Sequence, residues 1–407
     1  MIARLLPPPD LSSPPASLER LYERGYHHAW QRSQSLSPAD VIDEVTRSGI
    51  MGRGGAAFPT GRKWLSVAQE PDPVKYVVMN ADESELGTYK DRVLLEQDPF
   101  GPLVGLLIAA YAIGARQGYI YIRGEYQDVE HILKDALAQL ETLGWIGPNG
   151  MTVEIRRGAG AYIAGEETAL LNSIEGKRPE PRVKPPFPTR HGLFGRPTVI
   201  QNVETLANVA HLFAHDVDWF RAVGTSATPG TKLMAVSGHV KRPGVYEIPF
   251  GTPLWTLLTD PAYAGGIGGT GDLQAVLLGG AAGTWLTADE VRDVRLDYPD
   301  LRPYGASLGS GAVMAFDRTV DLTAVLAQLA RFFAEESCGQ CVPCRIGTHR
   351  LWERLKSGWP SADQHPALRD LGEAMRDASI CGLGQTAPLA FLSYLDRPQL
   401  WQAIKEA

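Results

Sequence analysis

The sequence predicts an α/β fold, because short apolar strands alternate with helical segments through its first half. Strands are expected at 74–80, 118–122 and 152–156, and helices between them at 101–114 and 128–143. This order favours right-handed crossovers and a mostly parallel sheet of the nucleotide-binding type. Two further observations point to cofactors: polar or Gly-rich segments follow the strands, and all four cysteines lie in a helical C-terminal region.

The chain begins with a segment of different character. Residues 7–15 are rich in proline and serine, which is typical of an extended arm. Ser37 then supplies a helix N-cap, followed by Pro38 and the early acid Asp40. We therefore expect an N-terminal arm over residues 1–36 and a capped helix directly after it.

The second half predicts a small α+β module followed by helices. Its expected elements are strands at 232–237 and 245–248, a helix at 252–258 and a strand at 273–278. From Thr323 onward the pattern is helical. With 407 residues, the chain is long enough for two or three domains.

Composition excludes some partners. The net charge of −7 gives no electrostatic reason to expect nucleic acid or an anionic membrane surface. The apolar, uncharged run 100–115 is shorter than the roughly 18 to 20 residues that span a bilayer, so it indicates a buried helix. We expect a cytoplasmic protein with no direct membrane insertion, since the first residues also lack a signal-peptide core.

The cysteines are the most informative residues. Cys338, Cys341 and Cys344 follow a Cys-x2-Cys-x2-Cys spacing, and Cys381 lies downstream. Three thiolates this close can hold one side of an iron-sulfur cubane while a fourth arrives from elsewhere, which favours one cluster. A structural zinc site and unligated thiols remain alternatives, although zinc sites usually show two separated Cys-x-x-Cys pairs.

Three loops are candidates for cofactor binding. Residues 52–63 are Gly-rich and carry Arg53 and Lys63, which suits a phosphate-bearing cofactor or, alternatively, a flexible turn with two solvated cations. Residues 80–85 place carboxylates at the end of a parallel strand, where they can accept hydrogen bonds from ribityl or ribose hydroxyls. The alternative is that they form a solvated acidic loop. Residues 158–167 combine glycines with an acid pair that opens a helix.

A fourth segment, Lys184 to Pro188, is a stiff proline-rich arm that bears a cation and an aromatic ring. It can clamp a phosphate and stack on a base, or it can be a surface proline loop.

Taken together, several strings resemble the NADH-binding flavoprotein subunit of respiratory complex I and its relatives. The relatives are the diaphorase subunits of soluble NAD-linked formate dehydrogenases, bidirectional hydrogenases and electron-bifurcating enzymes. The strings are GRGGAAFPTGRKW, NADESELGTYKDR, RGEY, GAGAYIAGEETALLNSIEGKR, KPPFP, GLFGRPT, QNVETLAN and ESCGQCVPCR.

The resemblance implies three domains after the arm. These are an FMN- and NADH-binding Rossmann-like domain at 37–228, a ubiquitin-like β-grasp (SLBB-type) domain at 229–320, and a C-terminal helical bundle at 321–407 that carries one [4Fe-4S] cluster. Cys338, Cys341, Cys344 and Cys381 are the implied ligands of that cluster.

The resemblance also implies site residues. Those expected around FMN are Gly52, Arg53, Gly54, Gly55, Lys63, Asn80, Asp82, Ser84, Tyr162, Gly165, Glu166, Gln201 and Asn202. Those expected around NAD(H) are Phe58, Glu83, Glu85, Glu167, Lys184 and Phe187. Family members commonly have Asn at the position of Gln201, and complex I members often have an aromatic residue at the position of Ser66.

The implied activity is that of a diaphorase, which exchanges hydride between NAD(H) and FMN and single electrons with the cluster. No catalytic side chain is expected beyond those that position cofactors, and Glu83 and Glu85 are the nearest candidates. The expected partners are a thioredoxin-like [2Fe-2S] subunit and a larger iron-sulfur or catalytic subunit.

The strings around the cysteines favour a soluble NAD-dependent formate dehydrogenase as the parent complex. Respiratory complex I, which would make the protein peripheral to the inner membrane, and an NAD-linked or bifurcating hydrogenase are the alternatives. A flavin-free electron relay or scaffold is the hypothesis from a different functional class.

Overall fold

The computed structural model describes residues 3–8, 10–148, 150–269 and 271–401, which fall into two compact units. The first unit comprises Met1–Ser84, Tyr89–Leu233 and Glu247–Phe250, and the second comprises Glu85–Thr88, Met234–Tyr246 and Gly251–Ala407. Most of the chain before residue 233 thus folds together, except for four residues after Ser84.

The first unit begins with helices that the sequence pattern does not locate. Helices α1 (Leu18–Glu23) and α2 (Tyr26–Ser35) lie within the segment expected as an arm, and α2 buries Tyr26. Helix α3 (Pro38–Ser48) begins as predicted, with the Ser37 hydroxyl accepting a hydrogen bond from the backbone N–H of Asp40.

A buried carboxylate holds the residues before α1. The backbone N–H groups of Arg4, Leu5 and Leu6 donate to Oε2 of Glu247 at 2.9, 2.9 and 3.2 Å. The Arg4 guanidinium also lies 3.8 Å from the centre of the Trp219 ring. The start of the described chain is therefore packed against the first unit.

A four-stranded parallel sheet forms the centre of the first unit. Its strands are β1 (Tyr76–Ala81), β2 (Gln117–Ile122), β3 (Thr152–Arg157) and β4 (Thr198–Asn202), in the spatial order β3-β2-β1-β4. The first three were predicted to within two residues at each end, whereas β4 was not predicted. The expectation of an α/β fold with a parallel, Rossmann-like sheet is confirmed.

Helices cover this sheet. They are α4 (Thr60–Ala68), α5 (Lys90–Gln97), α6 (Phe100–Ile113), α7 (Gln127–Thr142), α8 (Glu167–Ile174), α9 (Pro188–His191), α10 (Val203–Ala214) and α11 (Val217–Arg221), with short 3-10 helices at Tyr162–Gly165 and Leu193–Gly195. Every residue of α6 except Tyr111 is buried, as predicted for this apolar run, and α10 packs against it.

Among the described residues, no single helix has the length and apolar character to cross a membrane. The pair α5 and α6 meets that test together by length and composition only, and it is bent by 95° at the break.

The second unit contains most of a five-stranded mixed sheet, in the order β6-β5-β9-β7-β8. The strands are β5 (Thr231–Gly238), β6 (Gly244–Pro249), β7 (Leu273–Leu278), β8 (Thr284–Thr287) and β9 (Ala312–Asp317). Strand β9 is parallel to β5 and antiparallel to β7, and β7 is antiparallel to β8. Strands β5 to β7 were predicted, but β8 and β9 were not.

The remaining helices follow this sheet or connect its strands. They are α12 (Leu254–Thr259), α13 (Ala288–Asp293), α14 (Tyr298–Leu301), α15 (Leu322–Glu336), α16 (Val342–Leu355), α17 (His365–Ala378), α18 (Gly382–Thr386) and α19 (Leu389–Leu395), with 3-10 helices at Arg302–Tyr304, Ala362–Gln364 and Pro398–Leu400. Helix α16 contacts α15, α17 and α18. The helical character after Thr323 therefore agrees with the sequence pattern.

Candidate functional site

The carboxyl ends of the parallel strands bring two expected FMN residues together. Asn80 of β1 and Asn202 of β4 are register partners in adjacent strands. Because ligands of open α/β sheets bind where the strands end, this edge is where a cofactor is expected.

The Gly-rich loop at residues 52–63, which precedes β1 in the chain, reaches the same edge of the sheet. A side-chain carbon built on Gly54 would lie 3.1 Å from Cβ of Asn202, so the loop backbone is pressed against β4. Gly52 donates its N–H to the Phe58 carbonyl at 2.9 Å, and the neighbouring Gly55 has a φ of 133°. Glycine adopts this backbone freely, so conformation accounts for Gly55 and close approach accounts for Gly54.

Arg53 turns inward from this loop. Its side chain is fully buried, it donates to the Pro229 carbonyl at 3.3 Å, and its guanidinium lies 4.4 Å from the centre of the Phe250 ring. Its backbone N–H donates to Oγ1 of Thr205 at 2.8 Å. The arginine expected to add charge beside a phosphate therefore lies within the interior of the first unit.

The loop after β1 is organised by its own polar side chains. Asn80 donates to the Gly165 carbonyl at 2.9 Å and accepts from the Asp82 N–H at 3.1 Å, while Ser84 donates to Asp82 at 2.7 Å. A side-chain carbon on Gly165 would lie 3.3 Å from two oxygens of Asp82. The loops around Asn80 and Gly165, predicted separately as FMN contacts, are thus in direct contact.

Glu83 points away from this loop into the unit. Its carboxylate accepts backbone N–H groups of Asp91 and Arg92 at 2.8 and 2.9 Å and lies 3.3 Å from the Tyr126 hydroxyl. Burial, reinforced by Asp91, raises the pKa of Glu83 to about 7. This acid is therefore close to half-ionised at neutral pH.

The acid pair at the start of α8 binds two lysines. Lys184 Nζ lies 2.8 Å from Glu166 and 2.7 Å from Glu167, and Lys63 Nζ lies 3.8 Å from Glu167. The second carboxylate oxygen of Glu166 caps α8 by accepting the N–H groups of Thr168 and Ala169. The cation of the proline-rich arm thus meets the acids of the second Gly-rich loop.

These charges alter one another's titration. Burial of Glu167 opposes ionisation, but Lys63 and Lys184 together hold its pKa below the ordinary value. Burial, with help from Lys184, lowers the pKa of Lys63 against the attraction of Glu167. Perturbed groups of this kind cluster at functional sites, although structural ion pairs also produce them.

Aromatic side chains stand at the surface of the first unit. Phe58 is 44% exposed and Phe187 is 56% exposed, and both were expected to line the dinucleotide. Tyr162, expected near FMN, begins the 3-10 helix that precedes Glu166. Exposed flat rings can stack on a base or a flavin.

Gln201 provides a direct test of whether a cofactor fits this edge. Its Nε2 is buried and has no hydrogen-bond partner among the described residues. A buried donor without an acceptor costs free energy, so an acceptor from a bound molecule would satisfy it. The carbonyl or phosphate oxygens of FMN are acceptors of the required kind, and the residues at this edge fit that cofactor.

Glu85, expected at the dinucleotide, belongs to the second unit. Its Oε1 accepts the Ala282 N–H at 3.0 Å. Burial raises its pKa to about 6, against hydrogen bonds from Ala282 and Ser310. The other expected FMN and NAD(H) residues lie in the first unit.

The four cysteines all belong to the second unit, where three of them affect the pKa of Cys344. Cys341 and Cys381 precede the first turns of α16 and α18, while Cys344 and Cys381 are buried. Burial raises the pKa of Cys344 to about 12, and Cys341, Cys381 and Cys338 each add to the increase. Since Cys338, Cys341 and Cys381 each act electrostatically on Cys344, the four cysteines form one group, and four cysteines are the donor set of an iron-sulfur cluster.

Two close contacts surround Cys344. The Ser337 hydroxyl lies 3.3 Å from Sγ of Cys344. A side-chain carbon on Gly384 would lie 2.8 Å from Cβ of Cys344, so α18 is pressed directly onto α16. Within the described residues, no group of three or more His, Cys, Asp or Glu side chains is disposed to hold a single metal ion.

The sequence analysis gave no role to a set of buried charges beside Asn202. Lys90 Nζ lies 2.6 Å from Asp91 and 2.9 Å from Glu204, and Lys232 Nζ lies 2.7 Å from the same Glu204 oxygen. Lys90 and Glu204 lie within strings that carry the family resemblance, but nothing in their spacing indicates that they meet. A lysine inside an otherwise predicted nucleotide-site string is the signal that could have drawn attention to them.

Comparisons with known proteins match two regions of the chain to family models. The family model described as the Nuo51 FMN-binding domain matches residues 45–211, and the model described as the NADH-ubiquinone oxidoreductase-F iron-sulfur binding region matches residues 324–398. The NADH-quinone oxidoreductase F-subunit of Aquifex aeolicus is 40% identical over 400 residues, covering 96% of this chain and 92% of the relative. This chain belongs to the NADH-quinone oxidoreductase-F family.

A second relative and a solved structure extend the comparison. The corresponding NADH-quinone oxidoreductase protein of Rickettsia typhi is 42% identical over 377 residues, covering 90% of this chain and 89% of the relative. The crystal structure of an NAD+-reducing [NiFe]-hydrogenase in the H2-reduced state matches with a TM-score of 0.84 at 38% identity, over 96% of this chain. This chain spans 64% of that hydrogenase chain.

Membership of the oxidoreductase-F family confirms the predicted resemblance. It also confirms the expectation of an oxidoreductase that acts on NADH and uses FMN and a [4Fe-4S] cluster. The chain is thus a flavoprotein subunit of the complex I or NAD-linked hydrogenase type.

Proposed function

We propose that this member of the oxidoreductase-F family takes hydride from NADH onto FMN at the carboxyl edge of the first sheet, and passes single electrons to a cluster bound by Cys338, Cys341, Cys344 and Cys381. One observation carries the flavin assignment. The Gly54 backbone lies against Asn202 and the Gly165 backbone against Asp82 with little room for a side chain, so the backbones of these loops approach one another closely. Such an arrangement suits close approach of a flat, phosphate-bearing cofactor.

We assign to FMN the residues that the family resemblance implies. They are Gly52, Arg53, Gly54, Gly55, Lys63, Asn80, Asp82, Ser84, Tyr162, Gly165, Glu166, Gln201 and Asn202. The unpartnered Nε2 of Gln201 supports the assignment, because it offers a buried donor to the cofactor.

The dinucleotide is assigned to the six charged and aromatic side chains that the family resemblance implies. They are Phe58, Glu83, Glu85, Glu167, Lys184 and Phe187. The exposed rings of Phe58 and Phe187 supply stacking surfaces. Lys184 supplies a cation for a phosphate when its ion pairs with the carboxylates break. When bound, FMN supplies the hydride acceptor, and the side chains position it.

The chain is proposed to divide as its sequence indicates. The first sheet and its helices form a Rossmann-like domain at 37–228, preceded by the segment 1–36. The mixed sheet with α12 is assigned as a ubiquitin-like β-grasp (SLBB-type) domain at 229–320, which its parallel β5–β9 pair flanked by antiparallel strands supports. Helices α15 to α19 form the iron-sulfur bundle at 321–407.

The parent complex is proposed from the relatives. They are named for NADH-quinone oxidoreductase and for an NAD+-reducing hydrogenase, which favours complex I or an NAD-linked hydrogenase. A soluble NAD-dependent formate dehydrogenase, favoured by the strings around the cysteines, has no specific support among these relatives. In each case a thioredoxin-like [2Fe-2S] subunit and a larger iron-sulfur or catalytic subunit are the proposed partners of a cytoplasmic or membrane-peripheral assembly.

The test is anaerobic purification of the full chain followed by cofactor and activity analysis. We expect one FMN and four irons with sulfide per chain, bleaching of the flavin absorbance by NADH, and NADH-dependent reduction of ferricyanide. Iron without flavin would favour the electron relay instead, and zinc without iron would favour a structural metal site. Identification of co-purified subunits then separates quinone, hydrogen and formate chemistry.

A further inference from the structure

Six charged side chains form a buried ion cluster in the first unit. They are Arg53, Glu83, Lys90, Asp91, Glu204 and Lys232, and none is more than 6% exposed. Charged groups are rarely buried this completely, because removing them from water is costly unless each finds a partner. A cluster of this size therefore calls for an explanation beyond packing.

Glu204 lies at the centre of the cluster. One of its oxygens receives Lys90 at 2.9 Å and Lys232 at 2.7 Å, and the other accepts the Leu233 N–H at 2.8 Å. Although burial opposes it, Lys232, Lys90 and Arg53 lower the pKa of Glu204 to about 2. This carboxylate is therefore ionised at neutral pH.

The charges of the cluster do not balance at neutral pH. Arg53, Lys90 and Lys232 are three basic groups, while two carboxylates lie in ion pairs with them, Asp91 with Lys90 at 2.6 Å and Glu204 with Lys232 at 2.7 Å. The sixth member, Glu83, is protonated for a large fraction of the time, because burial raises its pKa to about 7. Burial lowers the pKa of Lys232 to about 8, which still leaves that amine mostly charged at pH 7.

The surplus positive charge is connected to the proposed flavin site by Asn202. The Asn202 amide donates to Asp91 at 2.6 Å, and its oxygen lies 3.5 Å from Lys90 Nζ. The same oxygen caps α10 by accepting the Glu204 N–H at 3.0 Å. A single side chain at the end of β4 thus links the cofactor edge to Lys90 directly and to Lys232 through Glu204.

We propose that Lys90 and Lys232 are positioning residues that act through Asn202 and the shared Glu204 carboxylate, keep a surplus positive charge beside FMN, and so favour its negatively charged reduced form. The inference rests on the proposed FMN site. Hydride transfer breaks a C–H bond of NADH and forms an N–H bond on the flavin, moving two electrons and one proton. A neutral flavin ring therefore gains one negative charge, which a nearby cation stabilises.

The inference is tested by measuring the FMN midpoint potential in anaerobic holoprotein. We expect Lys90→Met and Lys232→Met each to bind reduced FMN about tenfold more weakly relative to oxidised FMN, which lowers the two-electron potential by about 30 mV. Glu204→Gln removes a negative charge from the same place and should raise the potential. Lys90→Arg keeps the charge and should restore the wild-type value.

Arg24→Met is the matched control, because Arg24 forms another buried ion pair, with Asp98 at 2.8 Å, and has no contact with the cluster. It should lower the melting temperature without moving the potential. Opposite shifts for the lysine and glutamate variants cannot arise from general destabilisation, and if Lys90→Met fails to fold, Lys232→Met and Glu204→Gln still decide the sign.

Unchanged potentials in folded, FMN-loaded variants, or shifts of one sign in all of them including Arg24→Met, would overturn the inference. A wild-type chain that binds no FMN would instead overturn the proposed function.

Discussion

Glu85 shows how burial can give one acid a functional titration range. Its carboxylate accepts the Ala282 N–H, and burial raises its pKa to about 6. Above that pH the side chain is an anion, and below it the charge is lost. If Glu85 lies beside the ribose of the dinucleotide, its charge repels a 2′-phosphate only in the ionised state.

This gives a pH-dependent expectation for Glu85→Gln. At pH 8 the variant should use NADPH about fivefold better relative to NADH than the wild type does, since one like-charge repulsion of about 1 kcal/mol is removed. As the pH falls through about 6, the difference between the two proteins should disappear, because Glu85 becomes neutral. Steady-state kinetics with both cofactors from pH 5 to 8 measure this.

The comparison with the variant also accounts for titration of the 2′-phosphate itself, which affects both proteins equally. Glu335→Gln, an exposed acid on α15, serves as the charge-matched control and should behave as the wild type does. A difference between Glu85→Gln and the wild type that persisted unchanged at pH 5 would contradict the assignment.

Helix α18 illustrates how one glycine lets two elements meet. A side-chain carbon on Gly384 would lie 2.5 Å from Oγ of Ser379 and 2.8 Å from Cβ of Cys344. Both distances are shorter than atoms tolerate, so any larger residue pushes α18 away from α16. The fourth cysteine, which precedes α18, would move with it.

We expect Gly384→Ala to reduce the iron content of the purified chain and to cost about 1–3 kcal/mol of unfolding free energy, the usual range for overpacking. Gly382→Ala, on the same helix, is the matched control, because a side-chain carbon there meets no atom within 4 Å. Iron analysis and denaturant unfolding of both variants measure the effect. Equal iron contents would show that the approach of α18 is not needed for cluster binding.

The elements show which parts of the fold can be predicted from the sequence. Strands β1, β2 and β3 are recognisable because apolar runs of strand length stand between long helical patterns. Strand β4 is not, since its five residues follow a segment broken by glycine and proline and carry the polar residues Gln201 and Asn202. Strands β8 and β9 and the two early helices were missed because short elements give little periodicity to detect.

The site was predictable to the extent that it follows from topology. Parallel strands end at one edge, so polar loops after β1 and before α8 could be expected to meet, and the contact between Asn80 and Gly165 agrees. The contact between Lys90, Glu204 and Lys232 could not be expected, because three isolated charges far apart in the chain look like solvated residues. Their pairing depends on how α5, α10 and β5 pack.

At the scale of the whole molecule, the expected cofactors divide between the two compact units. Except for Glu85, every residue expected at FMN or NAD(H) belongs to the first unit, and all four cysteines belong to the second. Each unit also has its own sheet or helical core. Within the second unit, the backbone N–H of Trp285 on β8 donates to the Ser393 hydroxyl on α19 at 3.1 Å. The residues expected at each cofactor therefore belong mainly to one unit.

This division leads to an expectation about loading. Cys381→Ser should remove the cluster and leave FMN at the wild-type stoichiometry, still bleached by NADH, because no FMN residue depends on α18. Asn80→Leu should do the reverse: it removes the hydrogen bond to Gly165 and should lower the FMN content while leaving the iron content unchanged. Iron, sulfide and flavin analysis of the two anaerobically purified variants measures the cluster content and the FMN content of each. Joint loss of both cofactors in both variants would mean that the units acquire them together, and the independence argued from their separate cores would fail.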